Sequence, residues 1–346
     1  MHLVVNGRFL TQNITGVQRV AMNFTKELAG RVVDLQVFTP PFRGSEDSLL
    51  PLRVLPALKP YSLFWEQIKL PLTLKKCDFL LNFGNTAPIF VKNQAVMIHD
   101  AAFMRQPEWF SRSFAFYYRV LIPQIVKRAR FLMTVSQFSK DEIINCFGVD
   151  SERILVLPLW LDSIFSSEIQ RPIAEKKKYI LSVASIEPRK NYSSLLKAFS
   201  QQKTNVTLKL AGGATHHFAS VDNKYIDPCI QFLGRMNDQQ LVSLYRNALF
   251  FCSLSFYEGF GLPPLEAMAL GCPVLVSDIP AHREVCGDAV LYADPYDIDD
   301  IAQKMRLMLE NSRLRQELAE KGKIRAKIFN KEISLDLLMH ELEKFS

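Results

Sequence analysis

The stretch SFYEGFGLPPLEAMALG, residues 255–271, decides the fold of this 346-residue chain. It follows Leu249–Cys252, a short apolar run typical of a strand that is buried on both faces of a sheet. Gly259 and Gly261 then permit a tight loop, and two prolines suit the first turn of a helix that ends near Gly271. A strand, a glycine loop and a helix N-terminus in this order predict an α/β domain with an anion-binding loop, because free N–H groups and the helix dipole favour negative charge there.

Two carboxylates accompany this loop. Glu258 precedes it and Glu266 lies in the first turns of the helix, so we expect both to flank one pocket, where they can accept hydrogen bonds from sugar hydroxyls. A surface glycine loop with an exposed helix acid is the alternative, and it would be the better interpretation of an isolated Gly-x-Gly. Both acids together with both prolines make the longer pattern more specific for a ligand site.

A second candidate motif, SIEPRKN, begins at Ser185 and ends at residue 191. It follows the apolar run Tyr179–Val183, and ligands of open α/β sheets bind beyond the carboxyl ends of strands. Arg189 and Lys190 can hold a diphosphate there, the arginine through its planar fork and the lysine as a point charge. A solvated basic pair is the alternative, but the position directly after a strand favours the ligand site.

Short apolar runs alternate with amphipathic helical stretches along the chain, which predicts parallel sheets with helices on both faces. A polar, charged and proline-containing linker lies at 160–178. We therefore predict an N-terminal domain over 1–165, a C-terminal domain over 172–330, and a final helix at about 331–346 that packs on the first domain. The predicted N-caps are Ser139, Asn191 and Asp238, and the predicted strands are Val32–Thr39, Phe79–Phe83, Ala95–Ile98, Phe131–Val135, Ile154–Leu157, Tyr179–Val183, Thr207–Ala211, Ile230–Phe232, Leu249–Cys252, Val274–Ser277 and Val290–Tyr292.

Composition and charge limit the class of protein. The formal net charge is +7, with the excess mainly in the N-terminal half, which suits an anionic partner such as a membrane surface or a lipid-linked phosphate. Nucleic acid is a poor fit because the basic excess is diffuse and no recognition motif occurs. Without a signal-peptide pattern or an apolar run of ~18 residues, we expect a cytoplasmic protein. Six cysteines with no Cys-x-x-Cys spacing indicate free thiols and no zinc site.

The E-x7-E spacing of Glu258 and Glu266, together with EPRKN at 187–191, resembles the retaining GT-B glycosyltransferases of family four, which include bacterial mannosyl- and rhamnosyltransferases of surface-polysaccharide assembly. The resemblance covers nearly the whole chain and implies two Rossmann-like, doubly wound α/β domains that face a central cleft. The chain departs from the pattern at Leu159–Asp162, where an Asn-Gly-Val-Asp run is common, and in having the single glycine Gly16 in its first loop. Further matching segments are TGVQRV at 15–20, IHD at 98–100, LGRM at 233–236 and IPAHREVCGDA at 279–289.

The resemblance implies a role for each matching residue. Arg189 and Lys190 would neutralise the departing nucleotide diphosphate. Glu258 would face the hydroxyls of the donor sugar, Glu266 would bind the ribose, and His99 would lie near the transferred sugar. The other implied donor contacts are Gly16, Ser185, Arg235, Met236 and the backbone of Gly259, Phe260, Gly261 and Leu262.

The implied reaction moves a hexose, with mannose or rhamnose favoured, from a nucleotide-diphosphate sugar to a saccharide or a polyprenyl-diphosphate-linked acceptor, with retention of anomeric configuration. No cofactor or metal is expected, because the arginine–lysine pair and the helix N-terminus supply the positive charge. Asp297 and Asp299 spell the Asp-x-Asp of metal-dependent glycosyltransferases, but they precede an amphipathic helix where aspartate is a natural cap.

Two other functions fit parts of the pattern. One is a nucleotide-sugar 2-epimerase of similar fold, which would convert the donor without an acceptor. The other is a non-catalytic protein that binds a nucleotide or an anionic lipid; the presence of both acids and both cations argues against it. Residues 103–131 combine aromatic and basic side chains and are candidates for contact with the acceptor or with the inner face of the cytoplasmic membrane, while packing of the aromatics into the core is an equally weighted alternative.

Overall fold

The computed structural model describes residues 2–41, 50–56, 63–172, 175–213 and 228–345. Contacts within the chain divide it into two compact units. Unit 1 comprises residues 1–105, 113–159 and 331–346, and unit 2 comprises residues 106–112 and 160–330. The change between the units at Leu159 and Trp160 lies a few residues before the predicted end of the first domain.

Unit 1 is built on a parallel sheet with the strand order β3-β2-β1-β4-β5-β6-β7. All residues of β4 and β5 are buried, which explains why these strands read as apolar runs without alternation. The strands are β1 His2–Asn6, β2 Leu35–Thr39, β3 Leu52–Val54, β4 Asp78–Asn82, β5 Gln94–Met97, β6 Phe131–Thr134 and β7 Ile154–Val156. The helices that begin or lie here are α1 Gly16–Arg31, α2 Leu70–Thr73, α3 Ala102–Arg105, α4 Arg112–Arg128 and α5 Gln137–Phe147.

Unit 2 is built on a second parallel sheet, with the strand order β10-β9-β8-β11-β12-β13. Its core is formed by apolar side chains of the strands and of the helices that cover them, among which Phe250, Leu275 and Met305 are fully buried. The strands are β8 Tyr179–Val183, β9 Thr207–Ala211, β10 Ile230–Gly234, β11 Phe250–Ser253, β12 Val274–Ser277 and β13 Leu291–Ala293. The helices are α6 Ser163–Ser166, α7 Tyr192–Ser200, α8 Asp238–Asn247, α9 Leu262–Ala269, α10 Pro280–Cys286, α11 Ile298–Glu310 and α12 Ser312–Ala326.

The last helix, α13 (Lys331–Glu343), belongs to unit 1 and lies against α1. Lys331 pairs with Glu27 on α1 at 2.9 Å. Beyond the helix, the ring of Phe345 stacks on Phe131, with 5.7 Å between the ring centroids. The end of the chain is thus held in the unit that its first residues build.

The predicted fold class, two doubly wound α/β domains, is confirmed, because every strand pair that the structure describes is parallel. The predicted strands Tyr179–Val183, Thr207–Ala211 and Val274–Ser277 agree with the structure residue for residue. Strand β3 was not predicted, since it has three residues, none of them buried, and so gives no apolar run.

Two predicted N-caps are wrong. Helix α5 begins after Ser136, whose side chain accepts a hydrogen bond from the amide of Ser139 at 3.0 Å, so the cap lies one turn before the predicted serine. Helix α8 begins after Asn237, which forms a capping box, and Asp238 is its first helical residue. In both cases two residues at most three positions apart have side chains that can cap a helix, and only the backbone path selects between them.

Candidate active site

The centre of the unit 2 sheet is the point where the strand order reverses. β8 and β11 are neighbours there, and the chain leaves them on opposite sides, towards β9 and β12. The loops after two such strands open a crevice at the carboxyl edge of the sheet, which is the usual ligand position in doubly wound folds. The two predicted motifs, residues 185–191 and 255–271, follow these two strands.

A left-handed residue shapes the loop after β8. Pro188–Lys190 form a 3₁₀ turn, and Asn191 then adopts a φ of 55° at the N-cap of α7. The buried side chain of Asn191 accepts a hydrogen bond from the Ser194 amide and donates one to the Pro295 carbonyl at 2.8 Å. The predicted cap is confirmed, and asparagine suits it because its short polar side chain tolerates the left-handed region better than most residues.

Both cations of this turn contact the first acid of the glycine loop. Lys190 Nζ lies 2.5 Å from Glu258 Oε1, and Arg189 Nη1 lies 3.3 Å from Glu258 Oε2. Ser255 donates a hydrogen bond to Glu258 Oε1 at 2.7 Å. Arg189 Nε lies 2.5 Å from the carboxylate of Glu187. One carboxylate therefore fixes the two cations that were predicted to hold a diphosphate.

The charge state of Glu258 follows from these contacts. Burial by itself raises the pKa of the carboxyl, but the charges of Lys190 and Arg189, with the hydrogen bond from Lys190, outweigh burial and lower the pKa to about 2. Glu258 is therefore ionised at neutral pH and can only accept hydrogen bonds.

The cluster keeps hydrogen-bonding capacity for a ligand. Two cations face the two carboxylates of Glu187 and Glu258, so the cluster carries no net charge. An ammonium has three N–H donors, and Glu258 uses one of those on Lys190. A carboxylate has about four acceptor sites, and Glu258 receives three contacts from its neighbours. Phosphate oxygens can therefore accept hydrogen bonds from the N–H groups that remain on Lys190. One sugar hydroxyl can donate to the acceptor site that remains on Glu258.

The glycine loop ends at the N-terminus of α9. Gly261 is its N-cap, with a φ of 110° that favours glycine, and Pro263 and Pro264 lie in the first turn as predicted. Because the prolines remove two N–H groups, the amides that this helix start can offer an anion come from Phe260 to Leu262. The ring of Phe260 packs edge-on against Phe329, and the residue is only 5% exposed.

The second acid of the E-x7-E pair is buried within α9. Glu266 is 8% exposed, and its Oε2 accepts a hydrogen bond from the Tyr245 hydroxyl at 3.0 Å. Tyr245 on α8 is itself fully buried. The alternative of an exposed helix acid is wrong, because Glu266 is held by a partner that the sequence pattern did not identify.

A buried histidine behind the glycine loop was not predicted. His282 on α10 is fully buried, and its Nδ1 lies 3.0 Å from the Ser277 carbonyl, which identifies Nδ1 as the protonated nitrogen. Burial lowers the pKa of the imidazole, although the charge of Glu258 opposes this effect. A Cβ atom added to Gly261 would lie 3.2 Å from the ring, so the histidine forms the wall against which the loop turns.

Three further predicted donor-binding residues lie in the loops after β8 and β10. Ser185 is half-buried in the loop after β8, and Arg235 is exposed just after β10. The Arg235 side chain covers Gly213, where an added Cβ would come within 2.8 Å of its Nε. Met236 is half-buried beside it. These residues are not in contact with Glu258 among the described contacts, and their role in donor binding stays a prediction.

Two predicted residues lie in unit 1. His99, 7% exposed, has its Nε2 2.9 Å from the Phe83 carbonyl, and burial lowers its pKa. Gly16 is the exposed first residue of α1, and an added Cβ would meet nothing within 4 Å. The contact of His99 with a backbone carbonyl fits a histidine with a purely structural role as well as one that binds a ligand, so the functional roles of His99 and Gly16 stay predictions.

The Asp-x-Asp sequence has a structural explanation. Asp297 is the N-cap of α11 and accepts hydrogen bonds from the amides of Asp299 and Asp300 at 2.9 and 3.2 Å. Within the described residues no group of three or more histidine, cysteine or acidic side chains is arranged to hold a metal ion.

The fold and the site together define a two-domain, GT-B-type glycosyltransferase. The family model for group 1 glycosyl transferases matches residues 165–325, and the model for glycosyltransferase family 4 matches residues 14–163. This chain belongs to that family of glycosyltransferases.

Two curated relatives and a solved structure agree with this family assignment. O-antigen chain mannosyltransferase RfbU of Salmonella typhimurium is 34% identical over 232 residues, which are 63% of this chain and 64% of that protein. O-antigen chain mannosyltransferase B of Escherichia coli is 31% identical over 259 residues, 70% and 68% of the two chains. The matched region thus spans about two thirds of each relative's length. Anabaena Alr3699/HepE, solved in complex with UDP-glucose, has a TM-score of 0.74 and 18% identity over 99% of both chains, which shows a shared fold.

Proposed function

We propose that this chain transfers a hexosyl unit, with mannose or rhamnose favoured, from a nucleotide-diphosphate sugar to a saccharide or lipid-linked saccharide acceptor in surface-polysaccharide assembly. The observation that carries the proposal is the contact of Lys190 and Arg189 with Glu258, beside the glycine loop at the N-terminus of α9. The two relatives named above are O-antigen chain mannosyltransferases, which makes GDP-mannose the first donor to test.

The diphosphate would bind at Lys190 and the N-terminus of α9. The N–H groups that Glu258 leaves unused on Lys190 and the amides at the start of α9 would contact the phosphate oxygens. The remaining acceptor site of Glu258 would take one hydroxyl of the sugar. The carboxylate would then have two functions, since it both orients the cations and recognises the donor.

We propose transfer with retention of configuration. As the bond to the diphosphate lengthens, negative charge grows on the leaving group, where a single preorganised donor is worth ~10²–10³ in rate. Glu258 is a poor covalent nucleophile because two cations hold its charge. In this proposal an oxygen of the leaving phosphate, and no protein side chain, takes the proton of the acceptor hydroxyl.

Donor binding tests the proposal without knowledge of the acceptor. The melting temperature of the intact chain would be measured with GDP-mannose, dTDP-rhamnose, UDP-glucose and the corresponding free sugars. We expect at least one nucleotide sugar to stabilise the chain, because a ligand present at 100 times its Kd adds about 2.7 kcal/mol to the folded state, and the free sugars to have a much smaller effect. No stabilisation by any nucleotide sugar would contradict the donor site.

Epimerisation is the alternative reaction at the same site. Incubation of the donor that binds with the intact chain, but without acceptor, separates the two reactions. A transferase yields unchanged donor with slow release of nucleoside diphosphate, whereas a 2-epimerase accumulates the epimeric sugar. Rapid appearance of an epimer would replace the transferase proposal.

Contact with an anionic membrane is a further part of the proposal, limited to one face of α4. Most aromatics of residues 103–131 do not face solvent: Phe103 is buried, and Phe114 stacks on Tyr118 with centroids 4.1 Å apart. Phe116 and Val120 are 73% and 54% exposed, however, and the same helix carries exposed basic residues. No described helix is long and apolar enough to cross a bilayer. Loss of binding to phosphatidylglycerol vesicles in Phe116→Glu would support this surface, and unchanged binding would remove it.

A further inference from the structure

Helix α9 carries a single ionisable side chain, that of Glu266. In the proposed donor complex the diphosphate lies at the start of this helix, and the pentose of the nucleotide is joined directly to the diphosphate. Glu266 lies four residues after Leu262, ~6 Å along the helix axis, and side chains of a helix tilt towards its N-terminus. The carboxylate should therefore lie beside the pentose.

The position of this carboxylate is fixed from α8. The hydroxyl of Tyr245 donates a hydrogen bond to Glu266 Oε2 at 3.0 Å, and Tyr245 has no exposed surface. The Tyr245 ring packs edge-on against Phe165, with 6.4 Å between the ring centroids, and lies 5.5 Å from the ring of Phe251 on β11. Because two aromatic rings hold the phenol, its hydroxyl has little freedom, and it restricts the carboxylate oxygen that it binds.

Glu266 keeps hydrogen-bonding capacity for a ligand. A carboxylate has about four acceptor sites, and Tyr245 occupies one of them. Glu266 is 8% exposed whereas Tyr245 is fully buried, so a ligand that approaches the pair meets the carboxylate. The neighbouring 2′- and 3′-hydroxyls of a ribose can both donate to one carboxylate, and a 2′-deoxyribose offers only one of them. In dinucleotide-binding folds an acidic side chain binds the ribose 2′-hydroxyl in this way.

We propose that Tyr245 is a positioning residue that holds Glu266 for the 2′-hydroxyl of the donor, so that the chain selects ribonucleoside-diphosphate sugars over their 2′-deoxy analogues. This inference rests on the proposed glycosyl transfer and narrows its donor, because GDP-mannose carries the 2′-hydroxyl and dTDP-rhamnose lacks it. A site built around a hydrogen bond to a ligand hydroxyl discriminates against a ligand without that hydroxyl, since a buried polar group of the site is then left unpaired.

The test compares GDP and UDP with their 2′-deoxy analogues, and binding to the intact chain and to three variants is measured by calorimetry. Tyr245→Phe removes only the hydroxyl that binds Glu266. Glu266→Gln weakens the acceptor itself. Tyr179→Phe is the matched control, because Tyr179 is also buried and donates its hydroxyl to the Leu244 carbonyl of the same helix α8 at 2.7 Å. Melting temperatures show whether each variant is folded.

For the intact chain, we expect the Kd of a 2′-deoxy nucleotide to exceed that of its ribose counterpart about tenfold or more, which one hydrogen bond to a charged group predicts. Tyr179→Phe should keep this ratio of Kd values. Tyr245→Phe and Glu266→Gln should bring the ratio close to one, mainly through weaker binding of the ribose nucleotide.

Two results would overturn the inference. One is equal binding of ribose and 2′-deoxy nucleotides by the intact chain, and the other is the same ratio of Kd values in Tyr245→Phe and Tyr179→Phe. A structural role of the Tyr245 hydroxyl alone would lower the melting temperature and leave the ratio unchanged. Failure of the intact chain to bind any of these nucleotides would instead count against the transferase proposal.

Discussion

Replacement of Lys190 by alanine tests the donor site at its contact with Glu258. The substitution removes the ammonium 2.5 Å from Glu258 and leaves Arg189, at 3.3 Å, as the remaining cation. A unit charge about 4 Å from a phosphate oxygen is worth ~4 kcal/mol at an effective dielectric constant of ~20. Removal of one preorganised donor costs ~2.7–4 kcal/mol in measured cases. Because Arg189 stays, we expect the lower part of this range, a fall in kcat of about 100-fold.

The assay is release of nucleoside diphosphate at saturating donor, with and without acceptor. Lys321→Ala is the matched control, because Lys321 forms an exposed ion pair with Glu317 on α12 of the same unit, 3.0 Å apart. The control should keep full turnover, since an exposed pair contributes only ~0–1 kcal/mol to stability. Circular dichroism should show both variants folded. A folded Lys190→Ala with near wild-type kcat at saturating donor would refute the proposed function of the ammonium.

Three further predictions concern the pH dependence of the Glu258 contribution to stability, the backbone conformation of Asn191 and the requirement for a metal ion. Pairing lowers the pKa of Glu258 from its ordinary 4.5 to about 2, so its contribution to stability is complete above about pH 4.5 and is lost as the pH falls towards 2. The difference in melting temperature between the wild type and Glu258→Gln should thus be constant at neutral pH and shrink below pH 4.5; a constant difference down to pH 3 would contradict the pairing. Asn191→Ala should destabilise unit 2 by about 2 kcal/mol in urea unfolding, and more than Asn191→Gly, because only alanine resists the φ of 55°. Equal losses of stability in the two variants would show that Asn191 stabilises unit 2 through its hydrogen bonds and not through its backbone conformation. Turnover should persist in excess EDTA, and abolition that only a divalent metal reverses would show that the two cations are insufficient.

The arrangement of the sheets could be predicted because buried parallel strands leave a clear signal. Runs such as Leu249–Cys252 are apolar throughout, and along the chain such runs alternate with helices. The cap of α5 could not be assigned with the same certainty, since Ser136 and Ser139 both precede a helical stretch. Which serine accepts the hydrogen bond depends on where the chain leaves β6, and this is a tertiary property.

In the candidate site, too, some features could be predicted from the sequence and others depend on tertiary structure. Arg189, Lys190 and Glu258 each follow a predicted strand, so the sequence could predict that all three lie at the carboxyl edge of a parallel sheet. It could not predict that Glu258 pairs with both cations, because side-chain partners depend on the path of two loops. His282 had no signal beyond a single histidine in a matching segment, and its position behind Gly261 became visible only in the structure.

The fate of the sugar tests the central claim most directly. The intact chain would be incubated with the nucleotide sugar that stabilises it most and with a panel of methyl α-glycosides as acceptors, and the products would be analysed by mass spectrometry and anomeric NMR. The account predicts a glycoside extended by one hexosyl residue with the anomeric configuration of the donor, and a yield at least tenfold lower with Lys190→Ala. Donor conversion to free sugar or to an epimer, with no extended glycoside, would contradict it.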